Sequence, residues 1–225
     1  MHHDFIIGDI HGCAHELETL LSELKAKPGD HFYFLGDLIN RGPDSHGVFE
    51  IARSLPNLRC LIGNHELRLL RYKTQADPKI LKTYDWDTLH QLTEEDWEFM
   101  GTQMEGPIYL EDRKTLLVHG GFLPNKPWRE QGLDITTHIQ VIGKDGKPYK
   151  RGECDQGTPW QDLWKGPPHV IYGHIPRRNI ARIPWSLGID TGCVMGGKLS
   201  CCVLPEREIV QVKAAKNYAN KPLPF

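Results

Sequence analysis

Short apolar runs alternate with helix-spaced leucines through the first third of the chain. Phe5-Ile6-Ile7 is too short for a helix and has the character of a buried strand. Leu17, Leu20, Leu21 and Leu24 follow at i, i+3, i+4 and i+7, which predicts one face of an amphipathic helix. Pro28-Gly29-Asp30 ends it. A second run, Phe32-Tyr33-Phe34-Leu35, precedes Val48, Ile51, Ala52 and Leu55, again at helical spacing. Leu58 to Ile62 predicts a third strand, and Leu67, Leu69 and Leu70 a helix from Glu66 to Tyr72. This β-α-β-α-β-α order predicts an α/β fold, a parallel sheet with helices packed on it.

Periodicity weakens from Lys73 to Met104, a helical stretch rich in acidic and aromatic residues with Thr93-Glu94-Glu95-Asp96 as a helix start. Strand patterns return at 107–111 and 115–119. Residues 124–166 are polar, with Lys144-Asp145-Gly146-Lys147 as a hairpin turn, and read as an insertion. Further strands are expected at 169–172, 187–190, 199–204 and 208–212, the last two joined as a hairpin by Pro205-Glu206-Arg207. From Ala214 the chain reads as an extended tail. The expected organisation is one domain over 1–213 and a tail over 214–225.

Composition narrows the function. The net charge of −2 over 225 residues gives no general basic field, so neither duplex nucleic acid nor an anionic membrane is an expected partner. No apolar run reaches membrane-spanning length, and strand-like residues begin at Phe5, leaving no room for a signal peptide. The six cysteines show no CxxC spacing and read as reduced thiols, so a cytoplasmic location is expected.

The chemistry collects at the strand ends. Five apolar runs close on Gly or His with metal-type ligands behind them: Gly8-Asp9-Ile10-His11-Gly12, Gly36-Asp37, Gly63-Asn64-His65-Glu66, His119-Gly120-Gly121 and Gly173-His174. Asp9 to Asp37 is 28 residues and Asp37 to Asn64 is 27, one βα unit each, so the polar groups fall on one sheet edge. A single such junction is as well explained by a capping Asp at a turn. Five in series are not. Asp9, His11, Asp37, Asn64, His119 and His174 mix carboxylate, amide oxygen and imidazole, a set suited to manganese, iron or zinc. Six ligands exceed what one open catalytic metal uses, whereas two metals bridged by Asp37 would employ them all. Arg41 adds a planar cation suited to phosphate oxygens, and Ser45 is the expected cap of the following helix.

Together, GDxHG, GDxxxRG, GNHE, HGG and GH resemble the calcineurin-like metallophosphoesterases, in the branch that holds Ser/Thr protein phosphatases and symmetrical diadenosine tetraphosphate hydrolases. The resemblance runs from Asp4 to about Val212. It implies a four-layer α/β/β/α sandwich and two divalent ions, manganese foremost, with iron, zinc or cobalt as alternatives. By that similarity Asp9, His11 and Asp37 hold one metal, and Asp37, Asn64, His119 and His174 the other. Arg41 and His65 are the implied catalytic residues, Arg41 on the phosphate oxygens and His65 as general acid or transition-state donor. Arg41, Asn64, Arg177 and Arg178 are the candidate substrate-binding residues, the last two for a distal phosphate. Residues 188–199 resemble the DTGC…GG segment of the tetraphosphatase group, which carries no metal ligand there. Trp128, Trp160 and Trp164 are expected to form a small secondary core.

The implied substrate is a phosphorylated small molecule, a dinucleoside polyphosphate, or else a phosphoprotein. Polyphosphate, an RNA cap, or a metal-free scaffold role are the other readings. One departure separates them: the Asp of the phosphatases' GDxxDRG is here Asn40, which can orient His65 but cannot stabilise its imidazolium.

Overall fold

The computed structural model describes residues 2–224. The expected series opens the fold: β1 (Asp4–Ile7), α1 (Ala14–Leu24), β2 (His31–Phe34), α2 (Ser45–Ser54), β3 (Leu58–Leu61) and α3 (Asn64–Gln75). The weakly periodic region resolves into α4 (Thr83–Gln91) and α5 (Glu94–Thr102), the latter capped by Thr93 as its sequence suggests. Then follow β4 (Met104–Glu105), β5 (Ile108–Leu110), β6 (Thr115–Val118) and α6 (Leu133–Thr136). The insertion carries β7 (Val141–Ile142), β8 (Pro148–Tyr149), β9 (Thr158–Pro159) and α7 (Trp160–Leu163). The chain ends with β10 (His169–Tyr172), β11 (Ala181–Ile183), β12 (Ser186–Gly188), β13 (Lys198–Leu204) and β14 (Glu208–Lys213).

Two sheets form the frame. The first has the order β14-β13-β1-β2-β3-β4, parallel from β1 to β4 and antiparallel at β13 and β14; the second is β11-β12-β10-β6-β5. Strand alternation explains why they stack. Ile6, Tyr33 and Leu35 face Leu117, Ile171 and Leu187 between the sheets. Phe5, Ile7, Phe32 and Phe34 point the other way, onto Leu17, Leu20, Val48 and Phe49 of the helices. Burial on both faces is what a helix-covered parallel strand requires. The outer face of the second sheet is closed by the insertion, where Trp160 and Trp164 pack on Val118, Val170 and Tyr172 as the expected secondary core. The layers are therefore helix, sheet, sheet, and insertion with its short helices.

Three local expectations are corrected, and the insertion is filled in. Asp44, not Ser45, caps α2, accepting from the Gly47 N–H at 2.7 Å, while Ser45 is the first helical residue and accepts from the Asn40 N–H at 3.2 Å. The strand expected over 187–190 ends at Gly188, so Ile189 and Asp190 turn toward the site. The insertion builds its own three-stranded sheet, β8-β7-β9, with the predicted turn between β7 and β8. The segment after β14 is not extended into solvent. Ala214 is buried, and the Ala215 N–H and Tyr218 hydroxyl both donate to Glu16 Oε1 at 2.9 Å. Phe225, part of the expected tail, lies outside the described residues. No helix among the described residues is long and apolar enough to cross a membrane.

Candidate metal centre

Because β1, β2 and β3 are parallel neighbours, their C-terminal ends open on one edge, and β6 and β10 open beside them from the second sheet. The loops that follow carry the candidate ligands into one cleft. Their backbone is unusual: φ is 51° at His11, 50° at Asp37, 75° at Asn40, 69° at Arg41 and 65° at His174. Left-handed conformations cost a non-glycine residue about 1–2 kcal/mol each, and such strain persists where surrounding structure enforces it. Gly42 and Gly173 permit the crowding, since a Cβ would overlap the His11 carbonyl at one and the Asp9 carboxylate at the other. Glu66 supplies the enforcement. Its Oε1 accepts from the Leu38 and Ile39 N–H groups at 2.8 and 3.2 Å, and its Oε2 from those of Asp37 and Gly63 at 3.0 Å.

All eight primary candidates meet. Asp9, His11, Asp37, Arg41, Asn64, His65 and His174 line one cavity of about 260 Å³, and His119 stands directly behind it. Two sets of potential ligand atoms share Asp37: one with His11 and His65, one with His119 and His174, each within 4.8 Å of one another. His119 Nδ1 lies 2.8 Å from the Leu35 carbonyl and must donate to it. Its Nε2 then faces Asn64 Oδ1 at 3.1 Å and Asp37 Oδ1 at 3.4 Å, three lone-pair atoms turned on one point. His11 repeats the arrangement, with Nδ1 2.8 Å from the Ile39 carbonyl and Nε2 3.6 Å from Asp37 Oδ2. Such convergence is repulsive unless a cation lies between, which is how imidazole ligands oriented by carbonyls behave. Among the protein's own groups that cation is a proton. Burial opposes protonation of His119, but Asp37 pushes its pKa up to about 10. A divalent ion replaces such a proton. The donor set therefore fits metal ions.

Charge agrees. Burial would raise Asp37, yet the surrounding His119 and His65 hold it well below the usual carboxylate range. Burial, then the nearby Asp190, raises Asp9, and burial lifts Asp190 to about 6. His11 is lowered to about 4 by burial and Arg41, and His174 to about 3 by burial and His119. Neutral imidazoles are what metals bind.

His65 belongs to a buried network that extends beyond the strand-end motifs. The Asn40 side-chain nitrogen lies 2.8 Å from His65 Nδ1 and donates to Asp85 Oδ1 at 2.9 Å. Arg68 donates twice to Asp85 at 2.8 Å and lies 3.2 Å from His65 Nδ1. Asp85 accepts from Asn40, which fixes the amide with its NH₂ toward His65, and Arg68 can only donate. Two donors on Nδ1 leave the ring proton on Nε2. Burial holds the His65 pKa well below its ordinary value, Asp37 opposing and His11, Arg41 and Arg68 reinforcing. The ring stacks on Tyr84 at 5.3 Å, and both Arg41 and Arg68 lie over that same Tyr84.

Arg177 and Arg178, expected near the substrate, line a separate surface depression with Asn179, Ile180 and Ala181. In their place the cleft holds Arg68, Lys82 and Lys150, together with Tyr84, Gln140 and Asp190. Asp190 stood in the quoted DTGC segment and was legible as a carboxylate there. Asp85 and Lys150 had no such signal, since each lies in an otherwise ordinary polar stretch.

Comparisons with known proteins agree with this architecture. The Metallophos family, described as calcineurin-like phosphoesterase, matches residues 5–206. A bis(5'-nucleosyl)-tetraphosphatase PrpE [asymmetrical] from Anoxybacillus flavithermus is 30% identical, with 98% of each chain covered; one of the same name from Bacillus subtilis is 28% identical, with 95% covered in each. These relatives carry the asymmetrical name, not the symmetrical one to which the motifs pointed. A crystal structure provisionally named a diadenosine tetraphosphatase superposes with a TM-score of 0.83 at 30% identity, covering 95% of this chain and 94% of that one. A yeast protein serine/threonine phosphatase shares the fold alone, at a TM-score of 0.62 and 13% identity over 95% of this chain and 79% of that one. With sheet order, clustered ligands and a match over most of its length in accord, the chain belongs to the calcineurin-like metallophosphoesterase family, metal-dependent hydrolases built on a di-metal centre.

Proposed function

We propose that the protein hydrolyses dinucleoside polyphosphates, cleaving a phosphoanhydride bond. The observation that carries this is the Asn40 amide, held by Asp85 so that His65 is an Nε2–H donor. A neutral imidazole gives a hydrogen bond readily and a proton poorly. A serine alkoxide needs the proton; a nucleotide leaving as a polyphosphate anion does not. The names of the PrpE relatives support the same substrate class.

In this reading Asp9, His11 and Asp37 hold one metal, and Asp37, Asn64, His119 and His174 the second, with manganese foremost and iron, zinc or cobalt as alternatives. When bound, the two ions supply an activated water and charge neutralisation on the phosphate. Arg41, whose guanidinium lies 3.1 Å from His11 Nε2 at the cleft, binds the phosphoryl oxygens, and Asn64 orients them. His65 Nε2–H stabilises the departing oxygen. A cytoplasmic location goes with this proposal, supported by six free cysteines.

The test is a substrate panel with the enzyme loaded with Mn²⁺, Co²⁺ or Zn²⁺, comparing diadenosine tetraphosphate, a phosphoserine peptide, capped RNA, long-chain polyphosphate and an aryl phosphate. The highest kcat/KM is expected for diadenosine tetraphosphate. A preference for the phosphopeptide would overturn the substrate reading and leave the metal centre standing.

A further inference from the structure

A second group of metal-type side chains lies off the catalytic cleft, in the core on the helix-covered side of the first sheet. Cys13, Glu16 and Cys193 are buried, with exposures of 0, 1 and 2%. Their two sulfurs and one carboxylate oxygen lie within 4.8 Å of one another. None of the three belongs to the ligand sets that share Asp37.

Cys13 is the cap residue of α1 and Glu16 stands three residues on, so both lie on one face of its first turn. A glutamate at that position ordinarily turns back to the N–H of the cap residue. Here the Cys13 N–H donates to the Ile10 carbonyl at 3.1 Å, and Glu16 turns elsewhere. Its Oε1 accepts from the Ala215 N–H and the Tyr218 hydroxyl at 2.9 Å. Its Oε2 is buried without a hydrogen-bond partner, and the carboxylate makes no ion pair among the described residues. A buried charge is normally paired or bound to a metal ion. The Cys13 thiol is little engaged either, with a weak 3.7 Å bond to the His11 carbonyl.

We infer that Cys13, Glu16 and Cys193 form a third metal site, separate from the catalytic pair, and that its ion is zinc. Two thiolates and a carboxylate are zinc ligands, whereas manganese and magnesium favour all-oxygen surroundings. Zinc, at about 2.0–2.3 Å from each ligand, draws tetrahedral ligand atoms to roughly 3.5–3.8 Å of one another, so the three close by at most about 1.3 Å. Two thiol protons leave to solvent as the ion binds. A disulfide between the cysteines would make no use of Glu16 and would leave its charge uncompensated.

The position gives the ion a task. Cys13 follows His11 by two residues, and Cys193 precedes Val194 and Met195 of the cleft wall. Glu16 holds the segment after β14, which is also tied down by the Tyr218 and Ala219 N–H groups donating to the Val194 carbonyl at 3.0 and 2.9 Å. That segment contributes Tyr218 and Lys221 to a hollow of about 200 Å³ beside Arg41. Zinc here clamps the C-terminal segment against two loops of the catalytic edge and fixes one wall of the hollow.

Cobalt substitutes for zinc, and only thiolate-bound cobalt shows sulfur-to-metal charge transfer; the catalytic ligands offer nitrogen and oxygen alone. The full chain loaded with Co²⁺ should show that near-ultraviolet band, and Asp37→Asn should keep it. Cys13→Ala/Cys193→Ala should lose the band and one bound ion per chain by elemental analysis. Glu16→Gln, which keeps the core sulfurs, should weaken zinc binding ten-fold or more, on the order of the loss when a metal's supporting residue is removed, in competition with a chelating dye. Zinc should also slow tryptic cleavage after Lys216 about ten-fold or more in the wild type, and leave the cysteine variant unchanged. The assignment is overturned by a wild type without the band, a band that survives the cysteine variant or vanishes in Asp37→Asn, or undiminished zinc affinity in Glu16→Gln. A Cys13–Cys193 disulfide in freshly purified protein would overturn it equally. Should the cysteine variant fail to fold, the wild-type band and Glu16→Gln still decide.

Discussion

Replacing Asn40 by Asp probes the leaving-group argument directly, because the change looks conservative and the surroundings make it costly. The Asn40 side-chain nitrogen lies 2.9 Å from Asp85 Oδ1 and 2.8 Å from His65 Nδ1, with Asn40, His65 and Asp85 all fully buried. A carboxylate there sets two negative charges about 3 Å apart. At an effective dielectric of about 20 their repulsion is roughly 5–6 kcal/mol. Arg68 already gives two N–H groups to Asp85 and has little left to cancel it. Drawing a proton onto His65 Nδ1 offsets part, leaving a net loss of about 2–3 kcal/mol in stability. Asn40→Asp alone should therefore unfold at clearly lower denaturant and gain little monoesterase activity. Asn40→Asp/Asp85→Asn removes the clash, keeps the 40–85 hydrogen bond with its direction reversed at the loss of one of the two bonds from Arg68, and leaves His65 with a carboxylate partner. In that double variant, kcat/KM for a phosphoserine peptide relative to diadenosine tetraphosphate should rise about 10–100-fold, inside the usual range for a general acid. Equilibrium unfolding and steady-state kinetics on both substrates decide it. A single variant as stable as the wild type, or a double variant with an unchanged substrate ratio, would refute the reasoning.

Asp37→Asn should abolish turnover and reduce bound metal measured by elemental analysis, since both ligand sets share this carboxylate; full occupancy with a near-normal rate would exclude a bridging role. Glu66→Ala strips four backbone N–H groups of their acceptor and should cost about 4 kcal/mol or more, at about 1–3 kcal/mol for each buried donor left unpaired. Glu66→Gln should lose nearly as much, because its NH₂ faces N–H groups whichever way it turns, and thermal denaturation of both variants checks this. His46 on α2 is raised by its 2.8 Å hydrogen bond to Asp96 on α5, burial opposing. A raised folded pKa stabilises fully below the unfolded value of about 6.5 and is lost as pH rises through the folded value. His46→Gln should accordingly lower the melting temperature more at about pH 5.5 than at about pH 8.5, and the opposite order would be inconsistent with the ion pair.

The strand ends were legible because local sequence is enough to make them. Phe5-Ile6-Ile7 before Gly8-Asp9 and Phe32 to Leu35 before Gly36-Asp37 each state a buried strand and the ligand where it stops. The spacing of 28 and 27 residues puts those stops on one edge of a parallel sheet. His119 and His174 followed by the same rule from the second sheet. That the chemistry converges at all, and its type, was thus written in the order of residues.

What the order of residues could not state is which distant polar group meets which. Asp85 sits on a weakly amphipathic helix and looks like any helix-start acid, yet packing of α4 beside α2 makes it the residue that fixes the Asn40 amide. Nothing in the sequence singled out Lys82 and Lys150, while Arg177 and Arg178, close after a metal-type histidine, read as substrate ligands; the loops place the first pair at the cleft and the second pair around a separate depression. The segment past Lys213 read as a tail for want of periodicity, and it is held instead by Glu16 and Val194. Periodicity reports burial against a neighbouring layer. A hydrogen bond between side chains far apart in the chain leaves no period behind, so only the tertiary structure decided the partners of His65 and the charge of the cleft beside it.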